Sequence, residues 1–117
     1  MVQIREKKKS TSQFIKEARE LKALLRGSDV PLIINDRIDV ALACDADGVH
    51  VGQTDMGVKD ARKILGPNKI IGCTVSNPHQ AKLALLQGAD YLVSYKYQKI
   101  HLNLSFNPLL RVLMQYI

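Results

Sequence analysis

Pro31-Leu32-Ile33-Ile34-Asn35-Asp36-Arg37 and Gly48-Val49-His50-Val51-Gly52-Gln53-Thr54-Asp55 are two short apolar runs, and each breaks off in polar, acid-bearing residues. A strand that is apolar on both faces is buried on both faces, which is the mark of a parallel sheet. In such sheets the polar residues that follow the strand lie at its carboxyl end, where sites form. Asp36 and Asp55 are therefore candidate metal ligands. Between the runs, Ile38, Ala41 and Leu42 predict a short packed helix over residues 37–44, and Asp45-Ala46-Asp47-Gly48 predicts a turn into the next strand.

The same rhythm extends in both directions. Val2 and Ile4 alternate with Gln3, Arg5 and Lys7, giving a strand with one apolar and one wholly polar face. Ser10 and Gln13 have capping-box spacing, and Phe14, Ala18, Leu21, Leu24 and Leu25 form the stripe of the helix they open, with Gly27 as its stop. Downstream, Val58, Ala61, Ile64 and Leu65 mark a helix closed by Gly66-Pro67-Asn68, and Ile70-Ile71-Gly72-Cys73 is a fourth strand. Asn77-Pro78-His79-Gln80 is a helix start with a capping side chain and a proline in the first turn. That helix runs to Gln87, and Tyr91-Leu92-Val93 begins a fifth strand. Alternating strands and helices predict an α/β fold with about five parallel strands. Polar strand ends and the lack of a Gly-x-Gly-x-x-Gly turn favour a partial (β/α)8 barrel over a dinucleotide-binding sheet.

Composition narrows the classes. With 117 residues, 46% of them hydrophobic, the chain can build a core, and its net charge of +6 suits an anionic partner. Basic runs such as Lys7-Lys8-Lys9 are usually solvated faces, and without Trp or interleaved aromatics a nucleic-acid role is disfavoured. Cys44 and Cys73 have no metal-site or redox spacing and read as buried free thiols. No stretch approaches the roughly 18 apolar residues of a membrane span. The N-terminus has no apolar signal core, so a soluble cytoplasmic protein is expected.

Over residues 2–92 the chain resembles the thiamine phosphate synthase family. The resemblance is carried by Gln3-Ile4-Arg5-Glu6-Lys7, by Pro31 to Ala43 with its Asn-Asp-Arg, by Gly48 to Asp55 with its Gly-Gln-x-Asp ending, and by Ile70-Ile71-Gly72 and Gly88-Ala89-Asp90-Tyr91. It implies a transferase of thiamine biosynthesis. In that family's reaction a pyrimidine methyl diphosphate ionises, pyrophosphate departs, and the nitrogen of a thiazole phosphate attacks the cationic carbon. By the resemblance, Gln3, Arg5 and Lys7 contact the pyrimidine and its diphosphate, Asn35 lies at the substrate, and Thr74 supplies a hydroxyl where the family usually has Ser. Asp36 and Asp55 would hold Mg²⁺, a hard ion suited to one or two carboxylates plus phosphate oxygens. The implied partners are the pyrimidine diphosphate and the thiazole phosphate, with no nucleic acid and no membrane.

Each residue also has a plainer reading. Arg5 and Lys7 suit the polar side of an edge strand, Asp36 suits capping of the helix after it, and Asp55 suits capping of the helix at Val58. His50, inside a strand, reads as a hydrogen-bonded core histidine; Asp39 and Asp47 read as helix-start and turn residues, and His79 and His101 receive no role.

The resemblance ends near Leu92. The family's following glycine-rich strand and Pro-Thr-x-Thr-Lys loop have no counterpart in Val93-Ser94-Tyr95-Lys96-Tyr97-Gln98-Lys99. The chain thus divides into a barrel-like part, residues 1–92, and a divergent tail, 93–117, in which Leu109, Leu110, Val112 and Leu113 predict a helix over 107–116. A frameshifted reading, a truncated gene and genuine divergence all fit that tail. Five strands of an eight-stranded barrel imply a fragment with negligible catalysis as a monomer and with exposed strand edges prone to self-association. A non-catalytic anion-binding or assembly module, and a thiazole tautomerase-like paralogue, are the alternatives; Gln3, Arg5, Lys7 and Asn35-Asp36 favour the synthase.

Overall fold

A computed structural model of the chain describes residues 1–94 and a strand at 111–114. The elements are β1 (Val2–Ile4), α1 (Thr11–Leu25), β2 (Leu32–Asn35), α2 (Ile38–Cys44), β3 (Gly48–Val51), α3 (Val58–Leu65), β4 (Ile70–Val75), α4 (Pro78–Leu86), β5 (Tyr91–Ser94) and β6 (Arg111–Met114). All strands pair in parallel and lie in the order β1-β2-β3-β4-β5-β6. A doubly wound sheet reverses its strand order at a switch point, and this one never does. It is a half-barrel, with α1 to α4 all contributing to one core on one side of the sheet.

Period-two alternation sorts the strand residues. Leu32, Ile34, Val49, Val51, Ile71, Cys73, Val75 and Leu92 join Phe14 and Ala18 of α1, Val40 and Ala41 of α2, Ala61 of α3 and Ala81 and Ala84 of α4 in one core. The intervening positions, Gln3, Asn35, His50, Gly72, Thr74 and Tyr91, therefore face the opposite side, which in a barrel is the interior. Val2 and Ile4 pack on the helix-side core, so the polar alternates of β1 face that interior side.

The helix starts follow their local chemistry. Ser10 and Gln13 form both bonds of a capping box, and the Asn77 side chain accepts from the Gln80 N–H with Pro78 in the first turn. At the amino ends of the strands, two aspartates tie neighbouring strands together. Asp47, just before β3, accepts the Leu32 N–H at 2.7 Å, and Asp90, just before β5, accepts the Ile71 N–H at 2.8 Å. Arg62 reinforces this end by donating to the Gly66, Lys69 and Gly88 carbonyls and to Asp90.

Two expectations need correction. Leu24, assigned to the packed stripe of α1, is 82% exposed, and Leu42 and Ile64 are also largely solvent-facing, because these helices pack through a narrower seam than their apolar content suggests. The helix predicted over 107–116 gives way to a strand at Arg111–Met114 that pairs with β5; the remainder of that range lies outside the described residues. A short apolar run does not distinguish helix from strand by periodicity, and the edge of β5 offers it a ladder. The fifth strand begins at Tyr91, where the sequence places it, and runs to Ser94. Both cysteines are buried and free, as expected. No described helix is long and apolar enough to cross a membrane.

Candidate active site

At the carboxyl ends of β1 to β4 lies an open cleft of about 670 Å³. Its walls are Gln3, Arg5 and Lys7 from β1 and the turn beyond it, Asn35 and Asp36 at the end of β2, His50 of β3 with Gly52, Thr54 and Asp55 after it, and Thr74 of β4. Every residue that the sequence nominated for binding or metal ligation lines this one cleft.

The backbone delivers the two aspartates by different devices. Asp36 has φ 68°, a left-handed conformation uncommon outside glycine but tolerated by Asp. Its N–H donates to the His50 carbonyl at 2.8 Å and the Arg37 N–H donates back to the Asn35 carbonyl at 2.9 Å, so the chain turns sharply at the strand end. Asp36 does not cap α2: that helix is preceded by Arg37 and has no side-chain cap. The Arg37 guanidinium is engaged elsewhere, with both oxygens of Asp39 and with the Thr11 hydroxyl. Nor does Asp55 cap α3, whose N-cap is Gly57; its Oδ2 accepts the Gly52 N–H at 2.7 Å and closes the turn after β3.

The polar groups are mutually oriented. Gln3 Nε2 donates to Asn35 Oδ1 at 2.7 Å, which leaves the Asn35 amide nitrogen to donate elsewhere. Lys7 Nζ sits 3.3 Å from Asp36 Oδ2. Burial pushes the Asp55 carboxyl above its ordinary range, and the nearby Asp36 carboxylate pushes the same way against the Gly52 N–H. Two carboxylates held close enough to repel suit a divalent cation. Among the described residues no three His, Cys, Asp or Glu side chains gather as a metal cage. That donor set fits Mg²⁺, which takes few protein ligands and completes its shell with phosphate and water, and does not fit a structural zinc site.

His50 is the buried, hydrogen-bonded histidine expected from its strand position, at 5% exposure. Its Nδ1 is 3.0 Å from the Tyr91 hydroxyl and its Nε2 is 2.7 Å from Thr74 Oγ1. The sequence did not reveal that this ring also lines the cleft, or that Tyr91 lies behind it. The signal is in the register alone: His50 pairs with Gly72, and Gly72 with Tyr91, so three distant residues form one row across β3, β4 and β5. Gln53, also unassigned by sequence, donates to the Thr74 carbonyl at 2.8 Å and ties the β3 turn to β4.

Comparison with known proteins gives a consistent picture. The profile of the thiamine monophosphate synthase (TMP-TENI) family matches residues 1–98. The thiamine-phosphate synthase of Chloroflexus aurantiacus is 58% identical over 92 residues, which are 79% of this chain and 42% of that protein. The thiamine-phosphate synthase of Methanosarcina mazei is likewise 58% identical over 92 residues, covering 79% of this chain and 38% of the relative. The chloroplast thiamine biosynthetic bifunctional enzyme of Arabidopsis thaliana is 53% identical over 94 residues, 80% of this chain and 18% of its own length. A solved thiamine phosphate pyrophosphorylase from Pyrococcus furiosus superposes with a TM-score of 0.75 at 40% identity, covering 82% of this chain and 47% of that one. The chain thus spans less than half the length of each of these relatives.

Proposed function

Since the chain belongs to the thiamine monophosphate synthase family, we propose that it serves thiamine biosynthesis as the diphosphate-binding half of a thiamine-phosphate synthase site. The supporting observation is the convergence of Gln3, Arg5, Lys7, Asn35, Asp36, Asp55 and Thr74 on one cleft. The ligand is a pyrimidine methyl diphosphate, and the bond to be broken joins its methylene carbon to the diphosphate oxygen.

In this reading the main task of the chain is to hold the charge of the leaving group. Arg5 contributes a fork of donors matched to phosphate oxygens, and Lys7 contributes a mobile point charge. Asn35, oriented by Gln3, donates its amide to the pyrimidine end, and Thr74 donates its hydroxyl to a phosphate oxygen. Asp36 and Asp55 hold Mg²⁺. When bound, Mg²⁺ supplies charge neutralisation for the departing pyrophosphate.

The 117-residue polypeptide by itself binds the pyrimidine diphosphate without coupling it to a thiazole phosphate, because the described cleft accounts for only one wall of such a site. A cytoplasmic location accompanies this reading. Calorimetric titration of the chain with the pyrimidine diphosphate, with and without Mg²⁺ and beside a turnover assay, tests it. We expect Mg²⁺-dependent binding that falls at least about tenfold in Asp36→Ala and in Asp55→Ala, with no turnover. Binding indifferent to Mg²⁺, or none, would sink the assignment. A non-catalytic module and a tautomerase-like paralogue explain the fold equally well, but neither needs Asp36 and Asp55 to share one cleft with Arg5 and Lys7.

A further inference from the structure

We propose that Tyr91 and His50 form a positioning relay that sets the Thr74 hydroxyl as a hydrogen-bond donor toward a phosphate oxygen in the cleft. The inference deepens the diphosphate reading and rests on it. His50 is held between two hydroxyls, Tyr91 at Nδ1 (3.0 Å) and Thr74 at Nε2 (2.7 Å). A neutral imidazole has one N–H and one lone pair, so it donates to one hydroxyl and accepts from the other.

The tautomer decides what Thr74 can do. With the proton on Nδ1, the Thr74 hydroxyl must donate to Nε2, and it then presents only lone pairs to the cleft. An anionic oxygen arriving there would be repelled. With the proton on Nε2, Thr74 accepts from the ring and its own proton is available to the ligand. Nδ1 must then accept, and the phenol behind it is a competent donor. The hydrogen bonds run from the Tyr91 O–H to Nδ1, from the Nε2–H to Thr74 Oγ1, and from the Thr74 O–H to the phosphate oxygen.

Gly72 makes the arrangement sterically possible. It lies between His50 and Tyr91 in the strand row, and a Cβ there would approach the Tyr91 ring to 2.0 Å. Tyr91 itself is 6% exposed and lies outside the cleft lining, and its hydroxyl reaches the cleft side through the His50 ring. It is a positioning residue rather than a contact.

The test uses the full chain and inorganic pyrophosphate with Mg²⁺. Tyr91→Phe keeps the ring and removes the donor, and it should weaken pyrophosphate about fivefold. Thr74→Val should weaken it about tenfold, and the double variant no further than Thr74→Val alone. Fully additive losses would overturn the relay. Imidazole nitrogen NMR on the unmutated protein provides an independent readout: with pyrophosphate bound, His50 should carry its proton on Nε2. A proton on Nδ1 with binding intact overturns the relay and leaves the diphosphate reading standing, whereas failure of the unmutated chain to bind pyrophosphate overturns both.

Discussion

Lys7 reaches from the turn after β1 to Asp36 at the end of β2, with Nζ 3.3 Å from Oδ2, and so places a cation against one of the two carboxylates proposed to hold Mg²⁺. The Lys7 side chain is 59% exposed, so the pair adds little to stability, under about 1 kcal/mol. Under the proposed diphosphate reading its weight falls on ligand binding. Lys7→Ala should leave the urea midpoint nearly unchanged, weaken pyrophosphate at least about fivefold, and strengthen binding of Mg²⁺ alone by freeing Asp36. Titrations with each ligand separately check the opposite signs.

Asp55 should show function and stability pulling apart. Its carboxyl is raised by burial and by Asp36, so the charged form is disfavoured in the fold. An Asn there keeps an oxygen for the Gly52 N–H at 2.7 Å while removing the repulsion. Asp55→Asn is expected to equal or exceed the parent in thermal stability by up to about 1 kcal/mol, while Mg²⁺-dependent diphosphate binding is lost. A variant clearly less stable than the parent would contradict the electrostatic account.

Gly72→Ala should destabilise by about 1–3 kcal/mol, since its Cβ would collide with the Tyr91 ring at 2.0 Å. Gly57→Ala is the comparison, because φ there is −59° and nothing lies within 4 Å of the added carbon. Denaturant melts of the two variants should separate clearly; equal midpoints would mean that the Tyr91 ring can move aside at no cost.

Acid should weaken the fold through His50. Burial holds its pKa below the ordinary value of 6.5. Between the two values the unfolded chain takes up a proton and the folded chain does not, so stability is complete above about pH 6.5 and declines below it, by at most about 1.4 kcal/mol per pH unit. Asp55, raised rather than lowered, contributes with the opposite sign as pH falls. The His50 share is therefore the part of the decline from pH 7 to 5 that the parent shows in denaturant melts and His50→Gln lacks.

Among the described residues β1 and β6 each have a ladder partner on one side only. We expect the 117-residue polypeptide to self-associate through such edges. Size-exclusion chromatography over a rising concentration range should show species larger than a monomer, and a compact monomer throughout would refute this.

The sequence was most informative where local chemistry decides structure. Ser10 with Gln13, and Asn77 with Pro78, announced their helices because capping is a contact between near neighbours. The alternation of Gln3, Arg5 and Lys7 against Val2 and Ile4 gave the side of β1 that meets the cleft. Elsewhere the answer depended on tertiary neighbours. Asp36 looks like a helix cap in one dimension, yet the turn that carries it into the cleft is held by the His50 carbonyl on the next strand. The His50–Tyr91 contact joins residues 41 positions apart and follows from register across a glycine. Leu24 satisfies helical spacing but is left in solvent, since periodicity cannot say how wide a packing seam will be.

Asp47 and Asp90 hold strand N–H groups at the end of the sheet away from the cleft, and Arg62 knits the adjoining turns. Cohesion and chemistry therefore occupy opposite ends of the same strands. A side chain exchanged at the cleft therefore leaves the bonds that hold the strands together at the far end untouched.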